Sequence, residues 1–224
     1  MICELIAHTV IANRRAMADA GYTFHTDRVG DLDELAEFAG RACYESWDRP
    51  NPATATNQGY LRHILDVAHT SVLEHSSATF YVGQVSRSLL MEFRTHRHLS
   101  YSAQSQRYVN SEDAIAIVPP AFGGDVELAQ VLGAHQAASQ GIYQFLVTEL
   151  TNRGLPRKQA REAARAVMPN ATETRFVVSG NLWAWHYVLG RRTHMSADVE
   201  MQQLAKAMLA QLKEIAPNTF QDLA

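Results

Sequence analysis

The chain has 224 residues, of which 46% are hydrophobic and 19% are charged, and its formal net charge is −3 at pH 7. This length suffices for one large domain or two small ones, and one domain over residues 1–224 is the simpler interpretation. The net charge excludes a global basic field that would hold the protein on a nucleic acid polymer or an anionic membrane. Any anion therefore has to bind at a local cluster of basic residues.

Cys3 and Cys43 lie in neither a CxxC nor a Cys/His zinc spacing. We therefore expect neither a disulfide framework nor a zinc site, and this cysteine usage favours a reducing cytoplasm. A basic-then-apolar signal segment and an apolar run of ~18 residues are both missing from the sequence, which predicts a soluble cytoplasmic protein.

In the first half of the chain, hydrophobic spacing predicts alternating strands and helices. Asp31 followed by Glu34 resembles a capping box at the start of a helix. Val85, Leu89 and Phe93 have helical spacing directly after a run of strand-forming residues. The predicted elements are a strand over 3–11, helices over about 31–46 and 61–68, a strand over 77–82 and a helix from 85 to 94.

In the second half, residues 95–108 are polar and lack a sustained period, which predicts a loop. A short apolar run over 114–118 follows. Helical patterns cover about 125–151, 157–168 and 181–190, with a strand near 176–178.

The last predicted helix carries an apolar stripe that favours core or a subunit interface over a ligand site. The stripe consists of Met201, Leu204, Met208, Leu212 and Ile215, and the pattern ends at Pro217. We find no internal repeat, and the elements together predict a single helix-rich α+β domain with a central antiparallel or mixed sheet.

Residues 95–108, THRHLSYSAQSQRY, concentrate histidine, arginine and serine. The guanidinium of arginine matches phosphate oxygens and serine adds a compact hydroxyl, so Ser105 and Arg107 form a candidate phosphate clamp. The alternative is a solvated surface loop, because polar loops are common.

Two further basic clusters are present. Arg157, Arg161 and Arg165 recur every four residues and are expected to share one helix face, which favours an anion partner over a solvated face. The second cluster, Arg191 and Arg192, ends a helical pattern, where cations also complement the C-terminal dipole.

Histidine pairs raise other possibilities. We reject a metal site at His96-x-His98, because a third ligand of known geometry is missing and nearby arginines repel a divalent cation. By itself, His75 is more typical of a buried core histidine that opens a strand. Tyr44, at the end of a helix, is more typical of packing.

His96-Arg97, seven residues and then Ser105 resemble most of the Arg-His-Arg-x7-Ser signature of flavin-dependent thymidylate synthases. The similarity spans most of the chain in family order. It includes GRACYESW at 40–47, SVLEH at 71–75, SQRYV at 105–109, RKQAREAARAVMPNATET at 157–174, and Asn181, Arg192 and ADVE at 197–200.

This resemblance implies two groups of site residues. Those expected to contact FAD are His75, Ser77, His96, Arg97, His98 and Asn181. Those expected around dUMP are Tyr44, Glu92, Ser105, Arg107, Tyr108, Arg165 and Arg192. Of the second group, Ser105, Arg107 and Arg192 are expected to act in catalysis, with Ser105 as a phosphate ligand and not a covalent nucleophile.

The sequence departs from the family pattern at three positions. Thr95 stands where the motif has its first Arg, Ala103 where Glu or Gln is usual, and Trp183 where a second flavin-facing Arg is usual. These changes remove two positive charges from the expected flavin site.

The resemblance further implies reductive methylation of dUMP to dTMP, with methylenetetrahydrofolate as one-carbon donor and NADPH as reductant through FAD. It implies a homotetramer with active sites shared between subunits and no metal. The alternative is a non-catalytic nucleotide-binding or regulatory protein, which the three substitutions make conceivable.

Overall fold

One antiparallel sheet organises the protein. A computed structural model describes residues 1–25, 29–49 and 51–224. Its strands are β1 (Ile2–His8), β2 (Ser77–Ser86), β3 (Ser100–Ala103) and β4 (Glu173–Asn181). Their order in the sheet is β1-β2-β4-β3, and every neighbouring pair is antiparallel.

Helices make up most of the remaining regular structure, which confirms the helix-rich α+β class. They are α1 (Arg14–Asp19), α2 (Asp31–Tyr44), α3 (Asn57–Asp66), α4 (Arg87–Phe93), α5 (Val126–Asn152), α6 (Arg157–Ala164), α7 (Leu182–Arg192) and α8 (Val199–Ile215). Short 3-10 helices cover Pro52–Thr54, Thr70–His75, Pro120–Phe122 and Arg165–Val167.

The core lies between one face of the sheet and the helices that cover it. Side chains alternate along a strand, so Phe80 on β2 and Phe176 on β4 point to the same buried face. Phe80 meets the ring of Trp185 on α7 edge to face, with centroids 5.3 Å apart. The indole Nε1 of Trp185 donates to the carbonyl of Ala78 at 3.0 Å, which fixes α7 against β2.

The α8 stripe is part of this core, as predicted. Met201, Leu204, Met208 and Leu212 are fully buried. Residues three to four apart share one helix face, so α8 presents a continuous apolar surface to the sheet. Burial of these side chains is a main source of the fold's stability.

Element boundaries differ from the prediction at several points. Val85 belongs to β2 and not to the following helix, because β2 continues past an irregularity between Val82 and Val85. The sequence interpretation also missed α1. β3 lies inside the segment predicted as a loop, since four residues are too few to show a strand period.

The predicted capping box at the start of α2 is wrong. The N-cap residue is Gly30, and the carboxylate of Asp31 instead accepts from the backbone N–H of Ile11 at 2.8 Å and pairs with Arg14. Glu34 is buried and accepts from the backbone N–H of His25 at 3.2 Å. Both acids therefore hold the preceding segment against α2.

A buried carboxylate ties the end of the chain to α2. Asp33 accepts hydrogen bonds from the backbone N–H groups of Asn218 and Thr219, at 2.9 and 3.1 Å, and from the Thr219 hydroxyl at 2.6 Å. Burial raises the pKa of Asp33 to about 6, although these donors act in the opposite direction. These hydrogen bonds join parts of the chain that are distant in sequence.

Within the described residues, the helices include none with the length and apolar character needed to cross a membrane.

Candidate active site

Residues of the segment 95–107 line two different clefts. We call the first the aromatic cleft, which has a volume of about 650 Å³ and is formed by residues 95–98 and one face of α7. We call the second the arginine cleft, which has a volume of about 360 Å³ and is formed by α4, residues 103–107 and Arg165. β3 follows the residues that line the first cleft, and its Tyr101 and Ala103 line the second.

The aromatic cleft combines flat rings with cations. Trp183, Tyr187 and Arg191 line it from α7, where the spacing of four residues puts them on one helix face. His96 and Arg97 line it from the facing segment. Such a mixed wall suits a ligand that contains both planar rings and negative charge.

The start of α7 is fixed at the edge of this cleft. Asn181 is the N-cap residue, and its side-chain oxygen accepts from the backbone N–H of Ala184 at 2.8 Å. Beside it, Gly180 leaves room for Leu99, because a Cβ at position 180 would lie 2.3 Å from Cδ2 of Leu99. This close approach seats the segment that carries His96, Arg97 and His98.

Arg192 connects the two sides of the aromatic cleft. Its Nε donates to Nε2 of His96 at 2.8 Å, and its Nη1 donates to Glu92 at 2.5 Å. Burial lowers the pKa of His96 to about 4, and the charges of Arg192 and Arg191 act in the same direction. His96 is therefore neutral near pH 7, and because Nε2 accepts, its proton is on Nδ1.

The arginine cleft brings together four guanidinium groups and a hydroxyl. Its cations are those of Arg87, Arg94, Arg107 and Arg165, and Ser105 lies beside them. Arg107 lies 3.8 Å from Glu162, whereas the other three form no salt bridge with any residue that the structure describes. Burial lowers the pKa of Arg87, and repulsion from Arg165 and Arg94 adds to this effect. The cluster therefore favours an anion.

Helix α4 positions two of these arginines. Ser86 caps the helix by accepting from the backbone N–H of Leu89 at 3.0 Å, while its hydroxyl donates to Glu200 at 2.6 Å. Arg87 and Arg94 are seven residues apart, which is about two helical turns, so both reach the same cleft.

Ser105 and Arg107 lie in a tight turn. The carbonyl of Ser105 accepts from the backbone N–H groups of Tyr108 at 3.1 Å and Val109 at 2.9 Å. The carbonyl of Tyr108 in turn accepts from Nη1 of Arg161 at 2.6 Å. The hydrogen bond from Arg161 thus helps to hold this turn in place.

The three arginines predicted to share one helix face and an anion partner differ in burial. Arg161 is buried with Ala160 and Ala164 on the inner face of α6, whereas Arg157 and Arg165 are exposed. The backbone turns into a 3-10 helix at Arg165, which separates this residue further from the row. Of the three, Arg165 alone lines the arginine cleft.

Several expected site residues lie outside both clefts. His75 and Ser77 are exposed, so the interpretation of His75 as a core histidine is wrong, and it ends a 3-10 helix where a strand opening was expected. Ser77 pairs with Asn181 across β2 and β4, which puts it next to the aromatic cleft. Tyr44 is 72% exposed, so the packing interpretation fails, and Tyr108 is also exposed.

Sequence reasoning missed Arg87 and gave Arg94 no role. In the sequence they are only two cations seven residues apart, which does not by itself indicate a ligand site. Among the residues that the structure describes, no three or more His, Cys, Asp or Glu side chains are grouped so that they could hold a metal ion.

Comparison with known proteins shows which family this chain belongs to. The family described as thymidylate synthase complementing protein matches residues 26–218. The chain is also 52% identical over 228 residues to a probable flavin-dependent thymidylate synthase of Mycobacterium phage D29, covering 100% of this chain and 96% of the relative. The chain belongs to the flavin-dependent thymidylate synthase family.

Two cellular members of the family extend this similarity. The flavin-dependent thymidylate synthase of Mycobacterium marinum is 50% identical over 220 residues, and that of Mycobacterium tuberculosis is 48% identical over the same length. In both cases the match covers 95% of this chain and 88% of the relative. Flavin-dependent thymidylate synthases therefore match this chain over both clefts and almost all of the fold.

Proposed function

We propose that this protein catalyses the reductive methylation of dUMP to dTMP, with methylenetetrahydrofolate as one-carbon donor and NADPH as reductant through FAD. The observation that carries the proposal is the arginine cleft. It concentrates four guanidinium groups and the Ser105 hydroxyl in a chain whose net charge is −3.

The phosphate of a nucleoside monophosphate fits the arginine cleft. A phosphate carries close to two negative charges, and guanidinium groups bind it through paired, charge-assisted hydrogen bonds. Arg87, Arg107 and Arg165 would neutralise this charge while Ser105 donates from its hydroxyl. Burial lowers the pKa of Arg87 and repulsion from Arg165 and Arg94 adds to this, so binding of an anion would also relieve that repulsion.

The residues of the aromatic cleft fit FAD. Arg97 and Arg191 supply cations for the pyrophosphate, and Trp183 and Tyr187 supply ring surface. Neutral His96 can donate from Nδ1 to a flavin acceptor, since Arg192 occupies its other nitrogen. When bound, FAD supplies the hydride chemistry. His98 and Asn181 also line this cleft.

Arg192 and Glu92 are proposed to meet the uracil. They lie between the clefts, because Arg192 lines the aromatic cleft and Glu92 is on α4, which begins with Arg87 and ends just before Arg94. A carboxylate and a guanidinium held 2.5 Å apart present an acceptor and donors to a ring that has both. We assign Ser105, Arg107 and Arg192 the catalytic roles of binding and orienting dUMP.

The remaining site residues support a shared site. His75, Ser77, Tyr44 and Tyr108 are exposed. We propose that a homotetramer of single-domain, cytoplasmic subunits brings such side chains from neighbouring chains to each pair of clefts. A monomer is expected to be inactive.

Tritium release from dUMP labelled at carbon 5 tests the proposal. Release should require FAD, NADPH and methylenetetrahydrofolate together. Arg87→Gln should raise the KM for dUMP by roughly 10- to 150-fold, because it removes a charge-assisted hydrogen bond to the phosphate. Arg153→Gln, which changes an exposed arginine paired with Glu149 on α5, is the matched control and should behave as wild type. Tight dUMP binding without release by the FAD-loaded protein would instead indicate a non-catalytic nucleotide-binding protein.

A further inference from the structure

Trp183 ends a three-ring stack at the wall of the aromatic cleft. The indole lies 6.2 Å from the imidazole of His186, with 21° between the ring planes. His186 lies 6.2 Å from the ring of Phe220 at 23°. Phe220 is fully buried, so the stack is anchored in the core and its outermost ring is that of Trp183.

The orientation of this stack is fixed by more than packing. Nε2 of His186 lies 2.9 Å from Oδ1 of Asp222, which holds the imidazole plane in place. Trp183 lines the aromatic cleft and His186 does not. His186 stacks on the indole, Tyr187 lies 6.5 Å from it at 55°, and Trp183 still lines the cleft as a fixed aromatic surface.

Tyr187 and His96 are less available for stacking. Arg191 covers the ring of Tyr187, with its guanidinium carbon 5.5 Å from the centroid. His96 meets Tyr187 edge to face and is held by Arg192. Trp183 is thus the ring of this wall best placed to receive a planar ligand group.

We propose that Trp183 is the stacking platform for the adenine ring of FAD. This inference rests on the proposed binding of FAD in the aromatic cleft. A planar ring placed on Trp183 continues the stack in the offset geometry that aromatic groups prefer. Stacking on an aromatic side chain tolerates any base, because every base has a π-face.

The position of Trp183 along α7 favours adenine over the flavin ring as the group that stacks on it. Trp183 and Arg192 are nine residues apart, which is about 13 Å along a helix axis. Arg192 donates to His96 and to Glu92, and Glu92 is on α4, the helix that begins with Arg87 of the arginine cleft. The flavin ring has to approach the nucleotide there. The Arg191 guanidinium lies over Tyr187, about one helical turn from Trp183, where it can meet the pyrophosphate, and Arg97 also lines the cleft. The other end of the dinucleotide then reaches Trp183.

Ligand titrations of the full-length chain test this assignment with FAD, FMN and ADP as probes. Trp183→Leu removes the platform and should weaken FAD and ADP binding by roughly 5- to 150-fold, the range for losing one stacked base. FMN binding should not change, since FMN lacks adenine. Trp183→Phe keeps a ring at the same site and should retain most of the affinity for FAD and ADP.

Tryptophan emission provides a second readout that does not depend on activity. ADP should quench the emission of wild type but not that of Trp183→Phe. Unchanged elution volume and unfolding temperature in both variants would show that folding and assembly are preserved.

The titrations distinguish a wrong adenine assignment from a wrong stacking platform and from a wrong proposed function. Equal loss of FMN and FAD affinity in Trp183→Leu would place the flavin ring on Trp183 and overturn the adenine assignment, and unchanged FAD affinity would overturn the platform itself. A wild-type protein that binds neither FAD nor FMN would refute the proposed function instead.

Discussion

Arg161, buried in α6, donates from Nη1 to the backbone carbonyl of Tyr108 across 2.6 Å. This bond supports the turn that presents Ser105 and Arg107 to the arginine cleft. We expect Arg161→Gln to raise the KM for dUMP with little change in FAD affinity, because the turn loses its support while the aromatic cleft is untouched. Losing a hydrogen bond from a charged group costs about 1.5–3 kcal/mol.

Steady-state kinetics and FAD titration, compared side by side, check this prediction. Arg157→Gln removes an exposed arginine of the same helix and is the control. Arg161→Lys retains a donor and should recover part of the dUMP affinity. Parallel losses of FAD and dUMP binding in Arg161→Gln would show a general folding defect and contradict the positioning role.

Ser105→Ala should retain turnover at saturating dUMP. The hydroxyl lies among four arginines, and its closest backbone partner is the N–H of Arg107 at 3.4 Å. Losing one hydrogen bond to phosphate should raise the KM for dUMP by roughly 10- to 150-fold. Losing an essential nucleophile would lower kcat by about 10⁶-fold, as it does in subtilisin. A kcat at background with intact dUMP and FAD binding would refute the phosphate-ligand assignment.

His96 should titrate near pH 4. Its pKa in the folded protein lies below the ordinary value of 6.5, so the folded state binds this proton more weakly than the unfolded state. Its contribution to stability is therefore present above pH 6.5 and is lost as the pH falls towards 4. NMR of the imidazole Cε1–H signals, with His96→Gln for assignment, gives the midpoint. Arg192→Gln should raise this midpoint, and a wild-type midpoint near 6.5 would contradict a half-buried imidazole that is neutral near pH 7.

Asp33 should make stability depend on pH in the opposite sense. Its pKa in the folded protein is raised from 3.8 to about 6, so its contribution to stability is full below pH 4 and is lost as the pH rises through 6. We expect the stability of wild type relative to Asp33→Asn to fall by up to about 3 kcal/mol between pH 4 and 7. Denaturant unfolding of both proteins measures this difference, and a constant difference across the range would show that Asp33 is charged throughout.

The sequence predicts those parts of the fold that repeat a pattern. The α8 stripe extends over four turns, its spacing alone predicts core or an interface, and Met201 and Leu212 are indeed buried. β3 has four residues and two of them are serines, so it has too short a pattern to be distinguished from a loop. Pairing with β4 makes it a strand.

For the candidate site, spacing shows which residues share a helix but not which side of the helix is buried. Arg161 has the same four-residue spacing as its neighbours, yet packing on the turn at Tyr108 decides that it faces inward. Arg87 becomes a site residue only when α4 meets Arg165, which follows it by 78 positions in the chain. Such convergence depends on tertiary structure and has no local sequence signal.

The short strand β3 fixes the distance between the two clefts. It is paired residue by residue with β4, from Ser100 opposite Ser179 to Ala103 opposite Phe176. An extended residue spans about 3.3 Å, and moving by one residue turns each side chain to the opposite face of the sheet. Substitutions here can leave that geometry intact, whereas inserting or deleting a single residue would shift Ser105 and Arg107 relative to His96 and Arg97. Length variation in this family is therefore expected to spare the stretch from His96 to Arg107 and to fall in loops elsewhere.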